Sequence, residues 1–300
     1  MRVTVTGATG LIGSALVARL KERGDEVTVL ARDPDRARAS LGVEAVEWQA
    51  TAGPAPAAAL AGRDAVVSLM GEKVDQRWTD EARRRIRESR VDGTDNLVAG
   101  LRAAEPRPRV LVSGSAVGYY GPRGDERVEE SEPPGHDFLA SVVVEWERAA
   151  QAAASLGLRV VTVRSGVVLS ARGGALARML LPFRLGVGGP IAGGRQYLPW
   201  IHLDDEVGIL LAALDGERWG GPVNASAPEP VTSRDFGRTL GRVLRRPAVL
   251  PAPGLALRAL FGEMSMVLTT GQRAVPARAL EHGYRFRHPD LEGALRAELR

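Results

Sequence analysis

The 300-residue chain is 44% hydrophobic and 25% charged, a composition that suits one large α/β domain with an appended lobe, or two modest domains, and argues against a disordered or fibrous protein. Cysteine is absent, which excludes disulfides, thiolate metal sites and cysteine nucleophiles together, and the four histidines have no ligand spacing, so no metal is expected. The net charge of +4 comes from 40 basic against 36 acidic residues, nearly all the basic ones arginine with lysine only at Lys21 and Lys73, a balance that gives no nucleic-acid footprint.

No stretch approaches the roughly 20 apolar residues of a membrane span, and VTVTGATGLIG reads as a strand entering a glycine turn without a signal peptide's cleavage region. A cytoplasmic location is the expectation. Along the chain, RVTVT (2–6), EVTVLA (26–31), VEAVEW (43–48), DAVVSLM (64–70), RVLVSG (109–114) and LRVVTVR (158–164) alternate with helical patterns. Those patterns are LIGSALVARLKERG, the long TDEARRRIRESRVDGTDNLVAGLRAA, and FLASVVVEWERAAQAAASLG. Continuous β-branched runs separated by helices predict a doubly wound parallel sheet covered on both faces.

After Arg164 a glycine-rich region leads to a short strand, YLPWIH; residues 204–215 read as a helix, 221–226 as a strand, and three further helical patterns follow from 232. The expected division is a dinucleotide-binding domain over 1–165 plus about 204–226, and a smaller interleaved lobe over 166–203 and 227–300.

TGATGLIG places Gly7, Gly10 and Gly13 between a strand and a helix. The first glycine permits a tight turn, the second lets the backbone approach a pyrophosphate, and the third allows close helix packing. Thr9, Leu11 and Ile12 complete the expected cofactor loop. At the end of the second strand the chain reads LARDPDR, so Arg32, helped by Arg36, stands where an acid would bind a ribose 2′-hydroxyl. Charge-assisted bonds to a 2′-phosphate predict NADP(H). Asp33 weighs slightly the other way.

Gly71 and Glu72 follow DAVVSLM, at the edge where a doubly wound fold presents its loops, and KVDQRW adds Arg77 and Trp78. GGRQYLPWIHLDD gathers Gln196, Trp200 and His202 where the two lobes should meet; His202 either moves a proton or, more in keeping with its place between strand and helix, caps the following helix. These residues form the expected pocket for a small-molecule substrate.

TGATGLIG, SGSAVGYYG and WIHLDD together resemble the extended short-chain dehydrogenase/reductase superfamily. More closely, the chain is similar to an atypical branch of NAD(P)-dependent epimerase/dehydratase-like proteins with a C-terminal domain of unknown function. The resemblance extends over nearly the whole chain, through GEKVDQRWTDEARRRIRESRVDGT, LGVGGPIAGGRQYLPWIHLDD and LRRPAVLPAPGLALRALFGE. It implies a Rossmann-like fold, NADP(H), and a substrate-orienting serine at Ser115. It also implies a Tyr-x-x-x-Lys pair on the helix DFLASVVVEWE, where the aligned positions are Phe138 and Val142. Neither exchanges a proton. Tyr120, which ends the loop comparable to the family's, and Glu72 are the candidate replacements. The implied activity is an oxidoreductase or epimerase-like reaction on a small molecule. Without the dyad, a non-catalytic NADPH-binding protein is the alternative.

Overall fold

The computed structural model describes residues 1–299. Its centre is a seven-stranded sheet of β1 (Arg2–Thr6), β2 (Glu26–Ala31), β3 (Glu44–Glu47), β4 (Ala65–Ser68), β5 (Val110–Ala116), β6 (Arg159–Ser165) and β7 (Gly221–Ala225). The spatial order is β7-β6-β5-β4-β1-β2-β3, with every pairing parallel. The chain winds outward from β1 to β3, then crosses back to lay β4 on the other side of β1. That reversal opens a crevice at the carboxyl ends of β1 and β4, where ligands bind in such sheets.

The helices are α1 (Leu11–Glu22), α2 (Pro34–Leu41), α3 (Asp80–Glu88), α4 (Val91–Ala103), α5 (Phe138–Gln151), α6 (Gly174–Arg184), α7 (Leu203–Asp215), α8 (Ser233–Leu244) and α9 (Gly254–Phe261), followed by three more between residues 265 and 298. Alternation along the strands sorts two cores. Val3, Val5, Val67, Val112 and Val161 pack with Leu16 and Leu20 of α1 and with Ile209 and Leu210 of α7. Val66, Leu111 and Val160 turn the other way, onto Leu97 and Leu101 of α4 and Ala150 of α5. Burial on both faces explains why these strands read as unbroken apolar runs.

A third core joins Leu176, Leu180 and Phe183 of α6 to Trp200, to Phe236 and Leu240 of α8, and to Leu295 near the C-terminus. A fourth, smaller cluster joins Trp78, Ile86 and Val142 to Met264, with Phe138 and Phe261 against it. It ties α3 and α5 to the segment following α9. Among the described residues no helix is long and apolar enough to cross a membrane.

The single long helix expected after residue 79 is two. Arg90 N donates to Arg87 O at 3.0 Å in a tightened last turn, and Thr94 N donating to Arg90 O restarts the ladder as α4. YLPWIH is also split, at Pro199, which has no N–H for a ladder. Trp200–His202 pairs with Val167–Leu169, outside the main sheet. Helices α2 and α6 had no expected counterpart.

Candidate functional site

The three glycines divide their work as their surroundings dictate. Gly7 has φ +68°, and a Cβ there would lie 2.4 Å from Leu69 O. At Gly13 a Cβ would lie 2.3 Å from Gly7 O, so this glycine lets α1 dock on its own loop. Gly10 is different: its Cβ would meet only Gly7 O, at 3.3 Å, with open space beyond. It is the N-cap of α1 without a side-chain cap, and the first turn carries no acid, so free N–H groups and the positive end of the helix dipole face that space.

The space is a cleft of about 450 Å³ that Leu11 and Ile12 also line, and that reaches across the sheet edge to Ser115 and Ser165. Thr9 is exposed and lies outside that lining. Arg32 and Arg36 are exposed beside the end of β2, and neither guanidinium has an acidic or carbonyl partner among the described residues. Asp33 is accounted for as well. Its side chain accepts from Arg36 N at 2.9 Å and caps α2, so it is a helix start rather than a ribose-binding acid.

Ser115 lies one residue before the end of β5, at the edge of the cleft, and its Oγ donates to Glu147 Oε1 at 2.6 Å. Arg164, on the neighbouring strand and level with Ser115, grips both oxygens of Glu147 at 2.7 and 2.8 Å. It also donates to Tyr120 Oη at 2.9 Å and lies 3.5 Å from the centroid of the Tyr119 ring. Tyr120 in turn donates to Asn224 Oδ1 at 2.7 Å. Sequence reasoning passed over Glu147 and Arg164. The available signal was an arginine closing the run VVTVR, since a strand-end cation buried against a helix requires an acid.

Tyr120 therefore does not occupy the place of a proton donor. It is 1% exposed, outside the cleft lining, and burial pushes its hydroxyl up to about 12, with the Arg164 charge opposing. Glu72 also stands apart from the lining: its Oε1 accepts from Gln76 Nε2 at 3.1 Å beside Arg85. Gly71 lies against Arg90, where a Cβ would come within 3.0 Å of the guanidinium.

On α5 the expected frame is off by one residue. The i, i+4 pair presented to the cleft is Leu139 and Val143, flanked by Val142 and Trp146. Phe138 points away, packing edge-on to Trp78 at 5.2 Å with the Arg83 guanidinium over it. The registry differs, yet the wall is equally unable to donate a proton.

The rest of the expected substrate pocket disperses. Trp78 is 8% exposed in the α3–α5 cluster, its Nε1 donating to Val74 O. Arg77 is exposed beside Gly262. Gln196 Nε2 ties two loops together through Ile191 O and Leu268 O. Trp200 is wholly buried, with Nε1 donating to Glu229 O at 3.2 Å. His202 Nδ1 accepts from Asp204 N at 3.1 Å and its ring stacks on His288 at 3.7 Å, so it serves as the cap of α7. With Asp204 the two histidines form a cluster of metal-ligating types, but the His202 lone pair facing it is already used. The arginines of α3 are spent on acids: Arg85 on Glu81, Arg87 on Glu145, Arg83 on Glu263.

The pattern of the NAD dependent epimerase/dehydratase family matches residues 3–225, and DUF1731, a domain of unknown function, matches 252–298. The epimerase family protein SDR39U1 of Homo sapiens is 39% identical over 301 residues, covering 99% of this chain and 99% of its own. Epimerase family protein MT2273 of Mycobacterium tuberculosis is 40% identical, with 98% and 96% covered. Among solved structures, human SDR39U1 (isoform2) with NADPH superposes with a TM-score of 0.89 at 38% identity, over 99% of this chain and 98% of that one. A nucleoside-diphosphate sugar epimerase from Corynebacterium glutamicum gives 0.80 at 34% identity, over all of this chain and 58% of that chain. With the glycine loop at the switch point of a Rossmann-like sheet and likeness along its whole length, the chain belongs to the NAD dependent epimerase/dehydratase family.

Proposed function

We propose that the protein binds NADP(H) across the carboxyl edge of its sheet and acts as an oxidoreductase or epimerase-like enzyme on a small molecule. The observation that carries the cofactor is the open backbone at Gly10, facing a helix N-terminus that has no capping side chain and no acid in its first turn. The loop from Gly7 to Gly13 would hold the pyrophosphate. Arg32 and Arg36, cationic and unpaired beside β2, would hold the 2′-phosphate. The NADPH named with the human SDR39U1 structure supports that choice.

Bound NADPH supplies a hydride to a carbonyl carbon, or NADP⁺ removes and returns one during epimerisation. Ser115 then orients the substrate oxygen, accepting from a substrate hydroxyl while its own proton stays on Glu147, or donating to a carbonyl once that proton turns from Glu147. The hydroxyls left at the cleft are those of Ser115 and Ser165, so the proton moves through one of them or through water. In this reading residues 1–165 with about 204–226 hold the cofactor, and 166–203 with 227–300 shape the substrate side. The partner is a small molecule rather than nucleic acid, and the place of action is the cytoplasm.

A second reading, a non-catalytic NADPH-binding protein, is favoured by one feature: Leu139 and Val143 give the cleft a wall without a proton donor. Fluorescence titration with NADPH and NADH separates the cofactor question from the chemistry. The wild type should prefer NADPH, and Arg32→Asp should lower or reverse the preference. Equal affinities for the two dinucleotides in the wild type would refute the 2′-phosphate assignment. Single-turnover hydride transfer to a carbonyl panel then divides enzyme from binding protein.

A further inference from the structure

Arg90 is the one charged side chain among the residues lining the cleft. It stands at the N-terminus of α4, where the chain bends out of α3, and its guanidinium lies over the Trp146 ring at 5.3 Å. Nη1 donates to Glu72 O at 3.0 Å and to Ile86 O at 3.1 Å. A guanidinium has five N–H donors, and these two bonds use only the pair on Nη1. Nε and Nη2 have no protein partner among the described residues, and no carboxylate forms an ion pair with the side chain.

A cap for the end of α3 would need no more than those two carbonyl bonds. The remaining donors of a half-buried cation that no carboxylate touches directly call for an anion. Burial lowers the guanidinium to about 10, the charge of Glu72 partly restoring it, so the group stays cationic at neutral pH while gaining from any added negative charge. Gly71 keeps the room: a Cβ there would press on the guanidinium at 3.0 Å. On the α5 wall, Leu139 and Val143 are apolar, and the one polar atom of Trp146, its Nε1–H, is buried without a partner among the described residues, a further donor and no acceptor.

We infer that Arg90 is the anion-binding side chain of the cleft, taking a phosphate or carboxylate oxygen of its ligand from the α4 side. The inference rests on the nucleotide-binding reading above for one of its two sources, the cofactor's pyrophosphate. The other source is an anionic substrate bound beside the cofactor.

The test is calorimetric titration of the wild type, Arg90→Lys and Arg90→Met, with Trp146→Phe as a variant that removes the stack and keeps the charge. NADP⁺ is titrated at two salt concentrations, and inorganic phosphate and malonate are titrated into the preformed NADP⁺ complex. If the cofactor is the source, Arg90→Met weakens NADP⁺ about tenfold to a hundredfold and flattens its salt dependence, while Arg90→Lys keeps most of both. With an anionic substrate as the source, NADP⁺ affinity holds and only phosphate or malonate binding is lost. A folded Arg90→Met with unchanged NADP⁺, phosphate and malonate binding overturns the inference and leaves Arg90 a helix cap. Should the wild type bind no NADP⁺, the nucleotide reading falls. Pyrophosphate binding to the ligand-free protein, lost in Arg90→Met or unchanged by it, then decides Arg90 by itself.

Discussion

Ser115 and Arg164 stand side by side on adjacent strands, and both hold the same carboxylate, Glu147. The ion pair is nearly sealed, with the arginine side chain 3% and the glutamate 14% exposed. Removing one partner strands a buried charge, which typically costs about 3–5 kcal/mol. Glu147→Ala should therefore unfold at markedly lower denaturant. Ser115→Ala, which leaves the pair intact, should be nearly as stable as the wild type while lowering any turnover by about 10²-fold, the scale of one positioned hydrogen bond. Denaturant curves with matching midpoints for the two variants would show that the pair contributes no special stability.

The glycines separate binding from folding. Gly10→Val meets only Gly7 O, at 3.3 Å, a contact relieved by a shift of a few tenths of an ångström, but fills the space the pyrophosphate would take, so it should fold and lose NADPH binding. Gly13→Ala forces a Cβ to 2.3 Å of Gly7 O and should fail to fold, or fold with much reduced stability. Circular dichroism with fluorescence titration reads both. A folded Gly10→Val with wild-type affinity would move the nucleotide out of this cleft.

The sheet was legible because burial on both faces writes itself into continuous valine-rich runs, and the loop because Gly7, Gly10 and Gly13 sit between one such run and a helix. What escaped depends on partners far apart in sequence. Nothing local ties Tyr120 to Asn224 or Gln196 to Leu268, and an indole such as Trp200 looks the same in a pocket as in a core. The one-residue error on α5 has the same origin: Phe138 and Leu139 are both apolar, and only Trp78, packed against the first, fixes which of them turns from the cleft.

That registry makes a prediction of its own. Leu139→Tyr with Val143→Lys places a phenol and an ammonium at the cleft, four residues apart on one face of α5. Phe138→Tyr with Val142→Lys instead turns the phenol toward Trp78 and sets the lysine where the cleft wall meets the cluster around Trp78 and Met264, a site now 2% exposed. Of the two double variants, the second should lose more stability, and only the first should gain hydride transfer to a carbonyl probe. Greater stability for the second pair in thermal melts would reverse the assignment of faces.

Glu206 gives the protein a built-in dependence on pH. It is completely buried in the first turn of α7; Ser165 Oγ lies 2.5 Å from its Oε1, and Oε2 has no partner among the described residues. Burial pushes this acid from 4.5 up to about 7, the Ser165 bond only partly opposing it. Asp205 and Tyr284 are its ionisable neighbours, and Tyr284 already donates to Asp205, so neither supplies a compensating positive charge. Between pH 4.5 and 7 the folded state holds this proton while the unfolded chain releases it. The contribution is thus fully present below the unfolded value and is lost as pH rises through the folded one, a change on the order of 3 kcal/mol. Glu206→Gln, neutral throughout, removes that slope. Urea unfolding at pH 4.5, 6 and 8 should show the variant gaining on the wild type as pH rises, because groups common to both cancel in the difference. Parallel stability curves across that range would mean that Glu206 is ionised in the folded protein at neutral pH, against what its sealed, half-bonded carboxyl requires.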